Sequence, residues 1–368
     1  MTTQPDLMEA LFRRRTAEAE QQETERLARA LARARASLKA DDRDPHRYIA
    51  AARACKQLGR LHETVEILRQ GIGRCAPSPS LYEYLIERLE KCNRTEQAIA
   101  TAREAMALFP EEWIFRLREA LILPVLYDSQ EQIHQYRRRF SEGLQRIIDD
   151  LPLDTVTDQR RALVAISKNV NKYLGYQGCN DRKLQEQYGG WVHRIMVANF
   201  PQFAQSPPMP PLGAGGQLRI GYVSARFRDS SVTKSFLGWL RERNPKRIAA
   251  YAYHASRSTD AVTDQVRSAV ENFRELGSSP ENAAATIRND ELHALVFLDV
   301  GMEPHMAQLA ALRWLRSPAW LGIIPSLRAC PASIISFRLS RWSPQMDKTI
   351  TRRNWFSYPR SESTTRKR

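Results

Sequence analysis

LRIGYVS, residues 218–224, is the stretch whose reading decides the fold. It is a short run rich in β-formers that ends in a small residue, and a helical period follows it in VTKSFLGWLRER from Val232. Downstream the same alternation recurs. AAYAYH (Ala249–His254) reads as a strand and TDAVTDQVRSAVENF (Thr259–Phe273) as a helix. A second helix, PENAAATIRND (Pro280–Asp290), leads into the strand HALVFLDV (His293–Val300) and a closing helix, PHMAQLAALR. Strands that alternate with helices predict a parallel sheet with crossover helices. Ligands of such sheets sit beyond the carboxyl ends of the strands, so the loops after Val223 and Val300 are the functional candidates. LGAGGQ precedes the first strand, whereas a phosphate-binding glycine loop follows one. No P-loop, nucleophile elbow or metal-spaced histidines occur. From the residues alone this half is Rossmann-like.

Upstream, QFAQSPPMPPLGAGGQ (Gln202–Gln217) is dense in Pro and Gly and reads as the linker between two domains. Before it the pattern is helical. HETVEILRQGIGRCAP (His62–Pro77) superposes on TEQAIATAREAMALFP (Thr95–Pro110) at a spacing of 33, which sets Glu63 on Glu96, Val65 on Ala98 and Pro77 on Pro110. Turn residues, Gly59 and Asn93, precede each copy. A period near 34 with small residues at helix approaches resembles tetratricopeptide repeats. One helix pair cannot bury its apolar face alone, so the helices over 111–199 are expected to cap the two repeats. They include Leu123–Ile148 and Asn180–Pro201, the latter capped by Asn180 or Asp181. Residues 1–44 read as a charged, solvated helical leader. The domains are therefore 1–44, a helical region over 45–201, the linker 202–217, and a partial α/β lobe over 218–313.

Composition narrows the function classes. No apolar run is long enough to span a membrane, and the N-terminus lacks the apolar core of a signal peptide. Five scattered cysteines without a CxxC spacing suit a reducing cytoplasm and offer neither a disulfide framework nor a zinc site. The net charge of +15 invites a nucleic-acid partner. However, residues 314–368 hold eleven Lys/Arg against two Asp/Glu, and the other 313 residues are only mildly basic. Four of the seven tryptophans (Trp314, Trp320, Trp342, Trp355) lie in that tail as well.

Several strings resemble one family. LPVLYDSQEQIHQYRRRFSEGL, LGYQGCNDRKLQEQYG, LRIGYVSARFRDSSV and HALVFLDVGMEPHMAQLAALR, in this order, are similar to bacterial SPINDLY-type proteins, relatives of the O-linked N-acetylglucosamine transferases. The resemblance runs from about residue 45 to Arg313. It implies an α + α/β chain, in which a helical-repeat region is followed by the first Rossmann-like lobe of a GT-B glycosyltransferase. It also implies UDP-N-acetylglucosamine as donor, no metal, and protein acceptors guided by the repeats, with sugar passing to Ser or Thr. In the family the second lobe supplies most nucleotide contacts and the first lobe lends loop residues near the acceptor.

The loop after the first strand typically reads S-S-D-F-x-x-H-S-V in these relatives, and its histidine is the expected catalytic or sugar-contacting group. Here Ser224 begins the loop, Arg226 replaces the acid and Ser230 the histidine. Serine is not a base near neutral pH without a partner. His293, before the last strand, matches a family histidine and is the other catalytic candidate, with a strand-edge packing role as its alternative. Asp299 and Gly301 lie at that strand's carboxyl end as ligand-facing candidates, while His254 and His305 read as surface residues.

Beyond Arg313 the family's pattern is absent from the written residues but survives in a shifted reading. When each codon begins at the third base of the written one, Trp314-Leu315-Arg316 permits A-P-V. Ala319 to Pro325 permits M-A-W-x-H-P, and Ser326 to Ile335 permits V-T-S-G-L-P-S-I-D-Y. Gln345 to Tyr358 continues the agreement, with the glycine of W-G-H-P as an exception. A frameshift at or just after Arg313 is therefore expected, with 314–368 an out-of-frame, unstructured tail. The chain as written is expected to lack the donor-binding lobe and to be inactive in transfer. As an alternative, it is a non-catalytic protein-interaction remnant.

Overall fold

A computed structural model describes residues 4–212, 216–313 and 319–320. The helical region opens with α1 (Gln4–Ala40), α2 (Pro45–Gln57), α3 (Leu61–Arg74), α4 (Pro79–Lys91), α5 (Thr95–Leu108) and α6 (Trp113–Leu121). α2, α4 and α6 start 34 residues apart, as do α3 and α5. The repeat is thus one residue longer than the spacing of 33 that the proline match suggested, and Val65 corresponds to Ile99 rather than Ala98. The turns explain the register. Gly59 and Asn93 both adopt positive φ (72° and 55°), and Arg60 N–H bonds Cys55 O as Arg94 N–H bonds Leu89 O. The left-handed residue closes the first helix of each pair and redirects the chain. The prolines lie in the looser loops that follow, where one residue of drift costs nothing.

The same period reaches into α1. Leu31, Val65 and Ile99 stand 34 apart and all are buried. The last turns of α1 pack on α2 as the second helix of a preceding pair, so the end of the leader is part of the repeat stack, not a solvated arm. Helix approach is close where side chains are small. A Cβ on Gly71 would meet the Tyr48 ring at 2.8 Å, and one on Gly143 would meet Ala120 Cβ at the same distance.

α7 (Gln130–Asp150), capped by Ser129, α8 (Val156–Ile166) and α9 (Arg182–Asn199) complete the helical layer. α7 starts later than the helical pattern from Leu123, because Asn93 holds the backbone of Val125 and Leu126 in a loop. At α9, Asn180 accepts from Arg182 N–H (3.0 Å), while Asp181 makes no cap bond. The Pro/Gly segment is irregular but not free-standing. Phe203 is buried beneath Arg288, and Arg288 also bonds the carbonyl of Gln205.

The sheet consists of β1 (Leu218–Ser224), β2 (Ile248–His254), β3 (Asn272–Glu275), β4 (Ala294–Phe297) and β5 (Ala319–Trp320). All pairs are parallel and the order is β3-β2-β1-β4-β5. The helical reading of Thr259–Phe273 was too long. α11 (Ala261–Ser268) is short and the chain enters β3 at Asn272. Four residues of strand give too little period-2 signal to interrupt a helical pattern. β4 likewise covers only the middle of His293–Val300. β5 falls inside the stretch read as unstructured, and its two residues pair with Val296 and Phe297. A strand edge accepts any backbone whatever its side chains. The remainder of the tail reading lies outside the described residues.

Side-chain alternation divides the sheet. Tyr222, Ala250, Ala252 and Leu298 face α10 (Ser231–Arg241) and α11, with Val232, Phe236 and Val266. Val223, Tyr253, Leu295 and Phe297 face α12 (Pro280–Asn289) and α13 (Pro304–Ala310), in a core continuous with that of the helical region. At Gly221 a Cβ would come within 3.0 Å of Leu292, Leu295 and Tyr253, so glycine lets those side chains close over β1. The described repeats and sheet share one compact unit. Among the described residues no helix is long and apolar enough to cross a membrane.

Candidate functional site

In this strand order the chain reverses direction across the sheet between β1 and β4, and in open α/β sheets the carboxyl ends of two such strands are where a ligand crevice forms. Two loops meet there. Asp299, just past β4, turns its carboxylate onto the end of β1. Its Oδ2 accepts from the Ser224 hydroxyl (3.2 Å) and from Ala225 N–H (3.0 Å). Ser224 Oγ accepts in turn from Arg226 N–H (2.9 Å). Asp299 and Ser224 are both fully buried. Asp299 Oδ1 has no partner, and burial outweighs the two donors and raises the carboxyl from 3.8 to about 6. Gly301, with φ 88°, permits the turn in which Met302 N–H bonds Asp299 O. Beyond it Glu303 pairs with the Arg226 guanidinium and joins the two loops a second time.

The sequence candidates thus separate into two groups. Ser224, Arg226, Asp299 and Gly301 converge at the crevice. Ser230 stands at the far side of the same loop as the N-cap of α10. It accepts from Thr233 N–H (3.2 Å) and donates to Arg226 O (2.8 Å). Its hydroxyl is consumed by the helix start, and no base faces it.

His293 is at the opposite end of the sheet. Its Nδ1 accepts from Arg219 N–H (3.0 Å), and the His293 backbone N–H donates to Arg219 O (2.8 Å). Nε2 therefore carries the proton and faces Pro211 O at 3.3 Å. Burial, then the charge of Arg219, lowers its pKa and keeps it neutral. Arg219 and Ser224 are at opposite ends of β1, roughly 16 Å apart at the rise of an extended strand. The structure does not bring His293 to the crevice.

His254 is a correction. It is no surface residue but completely buried at the carboxyl end of β2, in register with Ser224. Nε2 donates to Ser258 O (3.0 Å), and the Phe227 and Phe273 rings flank it at 6.3 and 6.2 Å. Nδ1 is buried without a partner, and burial lowers the pKa. The signal was available, since Ala250, Ala252 and His254 occupy alternate positions of one strand and share its inward face. His305 is half-buried, with Nε2 donating to Ala255 O (2.8 Å).

Lys172, in a 3-10 turn over Lys172–Gln177, has its Nζ over the Tyr173 ring at 4.9 Å, and its partial burial, then the charge of Lys91, lowers its pKa. Nothing in the local sequence singles out Glu303, because a residue from a distant element enters a site only through tertiary folding. Among the described residues no cluster of three His, Cys, Asp or Glu side chains could hold a metal ion.

No family model and no curated protein matches this chain. A solved structure of a mutant O-GlcNAc transferase from Thermobaculum terrenum is similar, with 18% identity and a TM-score of 0.44 over 80% of this chain. The chain spans 50% of the length of that protein.

Proposed function

We propose that this chain derives from an O-linked N-acetylglucosaminyltransferase of the SPINDLY type and that its described residues form the acceptor-side lobe and its guiding repeats. The observation that carries the reading is the convergence of Ser224, Arg226 and Asp299 at the β1/β4 switch point. The strings that resemble the family, LRIGYVSARFRDSSV and HALVFLDVGMEP, are the two strands and loops that build this crevice. A UDP-sugar donor and a Ser or Thr acceptor are the substrates in this reading, with no metal and no nucleic-acid partner.

Residues 314–368 are, in the same proposal, translated out of frame, and the polypeptide as written does not perform the transfer. Its remaining capacity is protein binding by the helical stack, which the 34-residue register from α1 to α6 supports. Ser230 is a helix cap and His293 a strand-edge lock, so neither serves as the base for the acceptor hydroxyl. An acceptor-lobe residue that touches the hydroxyl has to come from the carboxyl edge of the sheet itself. Sequencing the gene across the Arg313 codon and assaying labelled N-acetylglucosamine transfer by the chain as written tests this. An inserted base that reopens the frame, with no transfer by the written chain, is the expected result. Transfer by the written chain, or the absence of any such frame, would sink it.

A further inference from the structure

The segment that joins the helical region to the sheet carries more order than a connection needs. Pro207, Pro208, Pro210 and Pro211 lie within five residues. Each ring fixes its own φ at about −65° and drives the residue before it out of the helical region. Residues 206–211 are thereby confined to polyproline II, a helix of about three residues per turn without internal hydrogen bonds. The exposure pattern has the same period. Pro207 and Pro210 are half-buried against the body, whereas Pro208, Met209, Pro211 and Leu212 are exposed. Two edges of the three-sided helix thus face solvent, one with Pro208 and Pro211, the next with Met209 (42% exposed) and Leu212 (48%). Both ends are fastened. Phe203 is buried beneath the Arg288 guanidinium, which donates to Gln202 O and to Gln205 O (3.1 Å). At the other end His293 Nε2 donates to Pro211 O at 3.3 Å. Among the described residues nothing donates to the carbonyls of Pro208 and Met209.

We infer that residues 207–212 form a pre-shaped ligand for a partner whose groove is lined by aromatic side chains and reads polyproline II. Pro208 and Pro211 stand at the P-x-x-P spacing that such grooves take. Aromatic rings of the partner pack on the proline edge, and Met209 and Leu212 supply apolar contact beside it. The free carbonyls of Pro208 and Met209 accept from a Tyr hydroxyl or Trp N–H of the groove. A plain flexible connection is served by Gly and Ser, and a plain rigid spacer needs no apolar side chains at 209 and 212. Because the rings and the two fastenings fix this backbone during folding, little ordering cost is left for binding. The inference is independent of the sugar-transfer reading.

Titration of the unlabelled full chain into nitrogen-15-labelled SH3, WW and EVH1 domains, followed by NMR, tests this. At least one of the three is expected to bind, with shifts confined to its aromatic groove. Met209→Asp with Leu212→Asp should weaken that binding by roughly tenfold or more, and Pro208→Ala with Pro211→Ala by several-fold. Leu126→Asp puts the same charge at an exposed apolar position of the helical region and should change nothing. All four positions of the double variants are exposed, so an unchanged urea midpoint is the accompanying check on folding. The free heptapeptide SPPMPPL should bind more weakly than the chain, because its ends are not held. No binding by any of the three domains, binding that both double variants leave intact, or an equal loss in Leu126→Asp would overturn the inference. So would a free heptapeptide that binds as well as the chain. Self-association of the chain that Met209→Asp with Leu212→Asp abolishes would overturn it in favour of a second copy.

Discussion

Asp299→Asn isolates the group on which the crevice turns. Oδ2 of Asp299 accepts two hydrogen bonds, from Ser224 and Ala225, that an asparagine carbonyl can accept equally. The substitution therefore keeps the bridge between the β1 and β4 loops and removes only the ionisation. Burial raises the carboxyl from 3.8 to about 6, so the folded chain binds a proton between those values that the unfolded chain does not. Stability from this group is then complete below pH 3.8 and is lost as pH rises through 6. A difference of about two pKa units corresponds to about 3 kcal/mol. Urea unfolding of both proteins, followed by tryptophan fluorescence from pH 4 to 8, reads this term as a difference. The amide NH2, placed where Oδ1 has no partner, adds a constant cost of about 1–3 kcal/mol. It shifts the whole curve and leaves its slope unaffected. About 0.5 kcal/mol of this is already lost at pH 4, so the variant should gain about 2.4 kcal/mol on the wild type between pH 4 and pH 7.5. Parallel curves across that range would refute the assignment of a buried, proton-holding Asp299.

Three further outcomes follow from the packing. His254 is buried as the neutral form with its pKa depressed, so its contribution is present above pH 6.5 and is lost as pH falls below it. His254→Phe, between the Phe227 and Phe273 rings, should therefore flatten the acid side of the stability profile, and a retained acid loss would contradict the buried neutral imidazole. Gly143→Ala places a methyl 2.8 Å from Ala120 Cβ and 3.0 Å from Ala120 O. It should destabilise by about 1–3 kcal/mol through forced separation of α6 and α7, seen as a lower urea midpoint; an unchanged midpoint would show that these helices are not in contact. His293→Ala strands Arg219 N–H at the sheet edge. It should cost about 1–3 kcal/mol, read as a lower urea midpoint, and an unchanged midpoint would contradict the strand-edge role.

The sequence disclosed the elements whose pattern is local and strong. LRIGYVS coincides with β1, and the loops after β1 and β4 are where the buried Asp299–Ser224 contact forms. Register was harder. The paired prolines gave a period of 33, while the left-handed turns at Gly59 and Asn93 set 34. Read at 34, the same pattern would have extended the repeats back to Leu31. β3 was hidden because Asn272–Glu275 continues the helical pattern of α11. Side-chain partners were the least legible. Ser230 reads as a substitute for a catalytic histidine until its hydroxyl is seen to cap α10. Glu303 meets Arg226 from a loop distant in the chain, and no spacing announces that.

Isothermal titration of UDP tests the central claim most directly, with the chain as written beside a version in which one inserted base after the Arg313 codon restores the family's frame. The account predicts no heat of binding for the written chain and saturable binding for the restored one. Micromolar binding of UDP by the written chain would contradict it.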